Sequence, residues 1–285
     1  AKDPTMMREK ISYDILGRYM PSPRTAFATI TVQNELIGLY TQIEQVDKTF
    51  LKRWFDNNDG NLFKSNDNGS TLLYFDNNQS SYESGYDLKT NKTDNNWSDL
   101  IAFIDKLNNS SDNEFTEVFN DCFNIHRGCR YLAFNMVFSN FDSYTGSGRN
   151  FYLYNDPSGH QFNLIPWDLN LSFGAYANNW NVITADAVSL SNMDQRPLNN
   201  RILTNGSLRQ IYLSYIKEIL SGPAHPDSIA AVTAAWKIMI DSTVRVDTNK
   251  LHSYEEFMTN IHDNISIIDN MSRVTIPGLV TFATK

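Results

Sequence analysis

A chain of 285 residues that is 41% hydrophobic and 13% aromatic carries enough apolar material for one large core or two smaller ones. Its formal net charge of -8 argues against a generic nucleic-acid binder, because it leaves no basic stripe for phosphates. No apolar run approaches the ~20 residues that span a bilayer, and the opening AKDPTMMREK lacks the pattern of a secretory signal, so any signal is expected upstream of residue 1.

In chain order, DPTMMREKISYDILGRYM predicts a helix capped by Asp3, with Pro4 at its first position and Met7, Ile11, Ile15 and Tyr19 as its apolar stripe. AFATITVQ and ELIGLYTQIEQV, rich in Val, Ile, Thr and Tyr around a short polar turn, predict an antiparallel hairpin. DKTFLKRWF follows as a short amphipathic helix, then NLFKS and STLLYF as two further strands. Residues 76 to 96, dominated by Asn, Ser and Asp, predict an exposed, poorly packed connection.

From Trp97 onward helical patterns prevail: DLIAFIDKLN, EFTEVFNDCF and IHRGCRYLAFNMVFSN. If one helix ran through Cys122 and Cys129, their Cα atoms would stand ~10 Å apart, too far for a disulfide. A helix break at Gly128 leaves a bridge open. NFYLYNDPSGHQFNLIPWDLNLSFG then predicts a second hairpin turned by Asp-Pro-Ser-Gly. A polar loop near 175 to 196 precedes further helices, the last expected to span SYEEFMTNIHDNISIIDNMS. The expected fold is α+β, with a strand-rich small lobe (1 to 75), the connection, and a larger helical lobe (97 to 285).

Three polar groups crowd around the second hairpin. Asp142 lies just past a long apolar helix, Asn150 opens the first arm and Asp168 follows the second. A hairpin returns the chain to its start, so Asn150 and Asp168 should be neighbours, with Asp142 on the adjoining loop. Carboxylate and amide oxygens converging there suit Mg²⁺, which takes few protein ligands and shares the rest with water or phosphates. The plainer alternative has Asp142 capping a turn, Asn150 bonding nearby backbone, and Asp168 pairing with Arg149 or a helix N-terminus.

The chain resembles the CotH kinase family. The resemblance is carried by DPTMMREKISYDI, the Glu-Gln-Val-Asp-Lys run, DGNLFK, RYLAFNMVFSNFDSY, the Ile-Pro-Trp-Asp step, RPLNNRIL and the closing IPGLVTFATK. It implies a two-lobed protein-kinase-like fold with an N-terminally incomplete small lobe. It also implies an ATP- and Mg²⁺-dependent kinase acting on Ser or Thr of a coat or secreted protein, at the spore coat, at the cell surface or outside the cell. Under this resemblance Asp142 is the catalytic carboxylate, Asp168 and Asn150 are metal ligands, and Glu44, Gln45 and Val46 form the adenine-holding hinge. Glu9 is the acid that partners a phosphate-binding lysine. Lys64 stands at a family-like position without an assigned role.

Two departures accompany the resemblance. Strands that would precede the first helix, with the lysine paired to Glu9, are missing, and Asn170 stands where many relatives carry a second Asp. Both favour an alternative in which the chain is a kinase-shaped binding or assembly module. A metal-dependent hydrolase finds no paired-His motif or nucleophile elbow in support.

Overall fold

The computed structural model describes residues 2–67, 69–176, 180–182, 185–190, 192–269 and 271–285. The fold is of the α+β class, with small antiparallel sheets set among helices. The first helix, α1 (Arg8–Leu16), starts later than expected, at an N-cap on Met7. The Asp3 carboxylate still serves its entry, accepting from the main-chain N–H of Thr5 and of Arg8. The expected stripe is largely buried: Met7, Ile11 and Ile15 lie in the core.

Strands β1 (Thr25–Val32) and β2 (Glu35–Ile43) form the predicted hairpin. Gln33 and Asn34, both at positive φ (50° and 66°), make a two-residue turn whose twist matches the strands. This two-stranded sheet leans on α1 and on α8 (Pro226–Val246). There the Phe27 and Trp236 rings meet edge-on at 5.7 Å, and Asp247 accepts from the Leu39 N–H at 3.0 Å. Helix α2 (Lys48–Phe55) is capped by Asp47, which accepts from Thr49 and Phe50.

Two expectations are corrected here. The predicted NLFKS strand forms as β3 (Leu62–Ser65). It pairs with β4 (Tyr86–Leu88) and with β5 (Phe151–Asp156), itself paired to β6 (Gln161–Pro166), in a sheet of order β4-β3-β5-β6. The hydrogen bonding therefore runs across the boundary drawn at residue 75, and STLLYF forms no strand. The stretch 76 to 96 is not poorly packed: Tyr82, Tyr86 and Leu88 are buried in the main core. Composition hid this, because three apolar side chains among many polar neighbours suffice to anchor a segment whose other residues face water.

The four-stranded sheet has two apolar faces. Phe63, Leu153, Phe151, Phe162 and Leu164 join the main core with α3 (Ser98–Asn109), α4 (Phe115–Cys122) and α5 (Ile125–Val137). Leu62, Tyr152, Tyr154 and Ile165 pack on the opposite face against Val46, Phe50, Leu51 and Phe55. Cys122 and Cys129 are free and buried, on separate helices, because the chain leaves helical geometry at Phe123 and Asn124 rather than at Gly128. The remaining helices are α6 (Pro197–Thr204), α7 (Gly206–Ser221), α9 (Tyr254–His262) and α10 (Leu279–Ala283). The long final helix expected from Ser253 ends at His262, and ISIID and SRVTI pair as a hairpin, β7 (Ile265–Asp269) and β8 (Ser272–Ile276). Their period-two pattern follows without a break on the helical spacing of α9, so the two run together in sequence. Part of the polar loop expected near 175 to 196 lies outside the described residues. Among the described residues no helix is long and apolar enough to cross a membrane.

Candidate functional site

The loop between α5 and β5 carries Asp142 and is fixed from several sides. Ser147 and Gly148 donate backbone N–H bonds to Phe141 and Ser143, at 3.0 and 2.9 Å. At Gly146 a Cβ would lie 1.9 Å from the Phe141 carbonyl oxygen, so the tight turn demands glycine. Arg196, nearly buried, donates Nε to the Tyr144 carbonyl at 2.6 Å, Nη2 to Gly146 at 2.5 Å and Nη1 to Gln195 at 2.7 Å. Burial depresses its pKa, yet a guanidinium remains charged, and it acts as a fixed clip on the loop.

The hairpin brings the predicted residues together. The Trp167 N–H donates to the Asn150 carbonyl at 3.1 Å, closing the base of the hairpin, and Asp168 follows at once. The Asn150 amide nitrogen donates to the Asp142 carbonyl at 2.8 Å and to its carboxylate Oδ2 at 3.0 Å. Both Asn150 (φ 60°) and Asp168 (φ 49°) adopt the left-handed backbone, which Asn and Asp tolerate best among residues with a side chain. Of the plainer alternatives, Asn150 does bond nearby backbone, but among the described residues Asp168 forms no ion pair with Arg149.

The electrostatics are those of a crowded acid cluster. Burial raises the pKa of Asp168, the negative charge of Asp142 raises it further, and the Asn170 N–H and Lys64 pull it back. Glu9 belongs to the same cluster. Burial, the charge of Asp168 and that of Asp3 push its carboxyl to about 8, against a pull from the Leu169 N–H. Burial beside Glu9 and Asp168 also keeps the Tyr13 phenol protonated. Helix α1 thus delivers Glu9 to Asp168, and among the described residues Glu9 has no ion-pair partner.

Around the predicted hinge, Val46 is buried against Tyr152 and Ile165, so it seats the segment on the outer face of the four-stranded sheet. Gln45 is exposed. The Glu44 side chain is engaged elsewhere: it accepts from the Arg24 N–H and guanidinium at 2.9 and 3.0 Å and from Arg53 at 2.5 Å. Of the three side chains, only that of Gln45 is left facing solvent; Val46 is buried and Glu44 is engaged.

Among the described residues no group of three or more His, Cys, Asp or Glu could by itself hold a metal ion. A Mg²⁺ site asks for less, one or two protein oxygens with water and phosphate completing the octahedron. The residues fit that demand. Asn150 uses its amide nitrogen on Asp142, so the amide atom that would meet a cation is its Oδ1, and the mutual charge that adds to burial in raising Asp168 and Glu9 is what a divalent ion would relieve. Asp142, Asn150 and Asp168 are each half-buried. An apolar cavity of about 430 Å³, lined by residues including Phe138, Gly174 and Phe282, contains none of the three residues.

Sequence reasoning missed the clip of Arg196 and the placement of Lys64. Arg196 lies in the quoted RPLNNRIL run, but an arginine that bonds only main-chain carbonyls leaves no charge partner to find in a sequence. The chain matches the family described as CotH kinase protein over residues 1–273. It is also similar to the inner spore coat protein H of Bacillus subtilis (strain 168), at 26% identity over 264 residues, covering 90% of this chain and 70% of that protein.

Proposed function

Because this chain belongs to the CotH kinase protein family, we propose that it is a kinase-like enzyme transferring the γ-phosphoryl group of ATP to a Ser or Thr hydroxyl of a coat or secreted protein, with Mg²⁺. The observation that carries the reading is the tie from Asn150 to Asp142 at the base of the hairpin that also presents Asp168. Phosphoryl transfer asks a protein chiefly for positioning and charge neutralisation, and a stiff hairpin with two buried faces supplies positioning.

In this reading Asp168 and the Asn150 Oδ1 would hold Mg²⁺, which supplies positive charge to the phosphates. Asp142, held by Asn150, orients the acceptor hydroxyl and takes its proton as the oxygen attacks the γ-phosphorus. The bond from that phosphorus to the bridging oxygen breaks, and ADP carries the electron pair away. Val46 and its neighbours hold the adenine through backbone groups, in a two-lobed arrangement of the kinase kind. The printed name of the Bacillus relative supports a place in the spore coat.

The test is transfer of radiolabelled phosphate from ATP to a coat-protein extract and to the chain itself, with Asp142→Ala and Asp168→Ala as controls. Loss of transfer in both supports the reading. Transfer untouched by either substitution rejects it. A second reading, a kinase-shaped assembly module, is favoured by Asn170, which brings no second acid to the cation. Absence of any thermal shift with Mg·ATP would select it.

A further inference from the structure

Strand β3 places Lys64 beside the base of the second hairpin. In the antiparallel register Lys64 stands opposite Tyr152, on the sheet face shared with Leu62, Tyr154 and Ile165 and covered farther along by Val46. Its ammonium lies 5.5 Å from the centre of the Trp167 ring and 5.8 Å from that of Tyr152, two rings set edge-to-face at 5.6 Å. Trp167 immediately precedes Asp168 in the chain.

Of the other basic residues, Arg149 beside Asn150 is exposed on the loop, and three more are committed elsewhere. Arg8 is buried against Asp3 and Asn260. Lys10 bonds both oxygens of Asp14 at 2.6 Å, and Arg196 is spent on main-chain carbonyls. Asp87, the cross-strand neighbour of Lys64 on β4, lies 3.9 Å from Lys89. Among the described residues Lys64 has no ion-pair partner. Aromatic rings attract an ammonium through their quadrupole without cancelling its charge. The ring contacts therefore hold the Lys64 ammonium beside Trp167, the residue next to Asp168.

We infer that Lys64 is the phosphate-binding cation of this site, reaching the phosphates of a nucleoside triphosphate from the outer face of the four-stranded sheet. The inference rests on the phosphoryl-transfer reading. It departs from the sequence-based expectation of a lysine on a strand ahead of α1 paired with Glu9. An ammonium on β3 would meet the phosphates directly and neutralise part of their charge, while the acids of the hairpin would act on them only through a bound cation.

The test is calorimetric titration of wild type, Lys64→Gln and Lys64→Arg with Mg·ATP and with adenosine, which lacks phosphates. Loss of one charge-assisted contact is expected to weaken Mg·ATP binding about ten- to a hundred-fold in Lys64→Gln, with adenosine unchanged and Lys64→Arg within a few-fold of wild type. Equal weakening of adenosine, or wild-type affinity for Mg·ATP in Lys64→Gln, overturns the assignment while leaving the kinase reading standing. A wild-type chain that binds no Mg·ATP removes both. Acylation of lysines in the wild-type protein keeps the question answerable should Lys64→Gln fail to fold. Mg·ATP is expected to protect Lys64 from the reagent and adenosine is not, and modification at the same rate with either overturns the inference.

Discussion

Asn150 donates its amide nitrogen to both the carbonyl and the Oδ2 of Asp142, from a backbone held at φ 60°. The bond couples the first residue of one hairpin arm to the loop acid eight positions earlier, so the two move as a unit. Asn150→Asp replaces this donor by a carboxylate facing a carbonyl and another carboxylate. A loss of ~1–3 kcal/mol in urea denaturation is expected, from the broken bonds and the added repulsion. Asn150→Gly keeps the left-handed backbone at no steric cost and should lose less. Equal stability of Asn150→Asp and wild type would show that the amide contributes nothing to the loop.

The acid cluster makes stability depend on pH in a defined direction. Glu9 has a folded pKa of about 8 against an ordinary value of 4.5, with burial as the main cause and Asp168 next. Below pH 4.5 both states are protonated at this group. Between 4.5 and 8 the folded state binds the proton more tightly, so the stability it contributes is lost as pH rises through that window. Glu9→Gln abolishes the titration and should flatten the decline. Denaturant midpoints recorded from pH 5 to 9 test this, and parallel curves for variant and wild type would assign the slope to other groups.

Much of this site was legible in sequence because hairpins bring known positions together. The spacing of Asn150 and Asp168 around Asp-Pro-Ser-Gly fixed their proximity before any fold was known. The burial of Val46 was not legible, because it packs on the face of a sheet whose strands β5 and β6 lie about a hundred residues on. The partnership of β3 with β5 was not legible: both are short apolar runs, and nothing local tells a strand which distant edge to join. The same gap hid Lys64, whose surroundings come from β5 and from Trp167.

Glu44 separates side-chain from backbone roles in the expected hinge. Its carboxylate is engaged by Arg24 and Arg53; although partial burial works against ionisation, their hydrogen bonds lower its pKa. Glu44→Gln should therefore leave Mg·ATP affinity within about two-fold, because the side chain is not free to meet a nucleotide. Its cost in stability should be no more than ~1 kcal/mol and should shrink at high salt, as for any largely exposed pair. A tenfold loss of nucleotide affinity would return Glu44 to the list of ligand-binding side chains.

Arg196 offers the clearest separation of positioning from chemistry. It touches none of Asp142, Asn150 or Asp168, yet it holds the carbonyls of Tyr144 and Gly146 in the loop that presents Asp142. Arg196→Met retains much of the buried volume while leaving those carbonyls without donors, at a cost of ~1–3 kcal/mol for each buried group left unpaired. Arg196→Lys restores the charge but not the fork that reaches two carbonyls at once, so it should recover only part of the loss. Amide hydrogen exchange should accelerate across 141 to 148 in Arg196→Met, and phosphate transfer should fall through kcat with little change in the KM for ATP. Unchanged exchange in that loop would mean that the glycine turn and the hydrogen bonds to Phe141 and Ser143 hold it without the arginine.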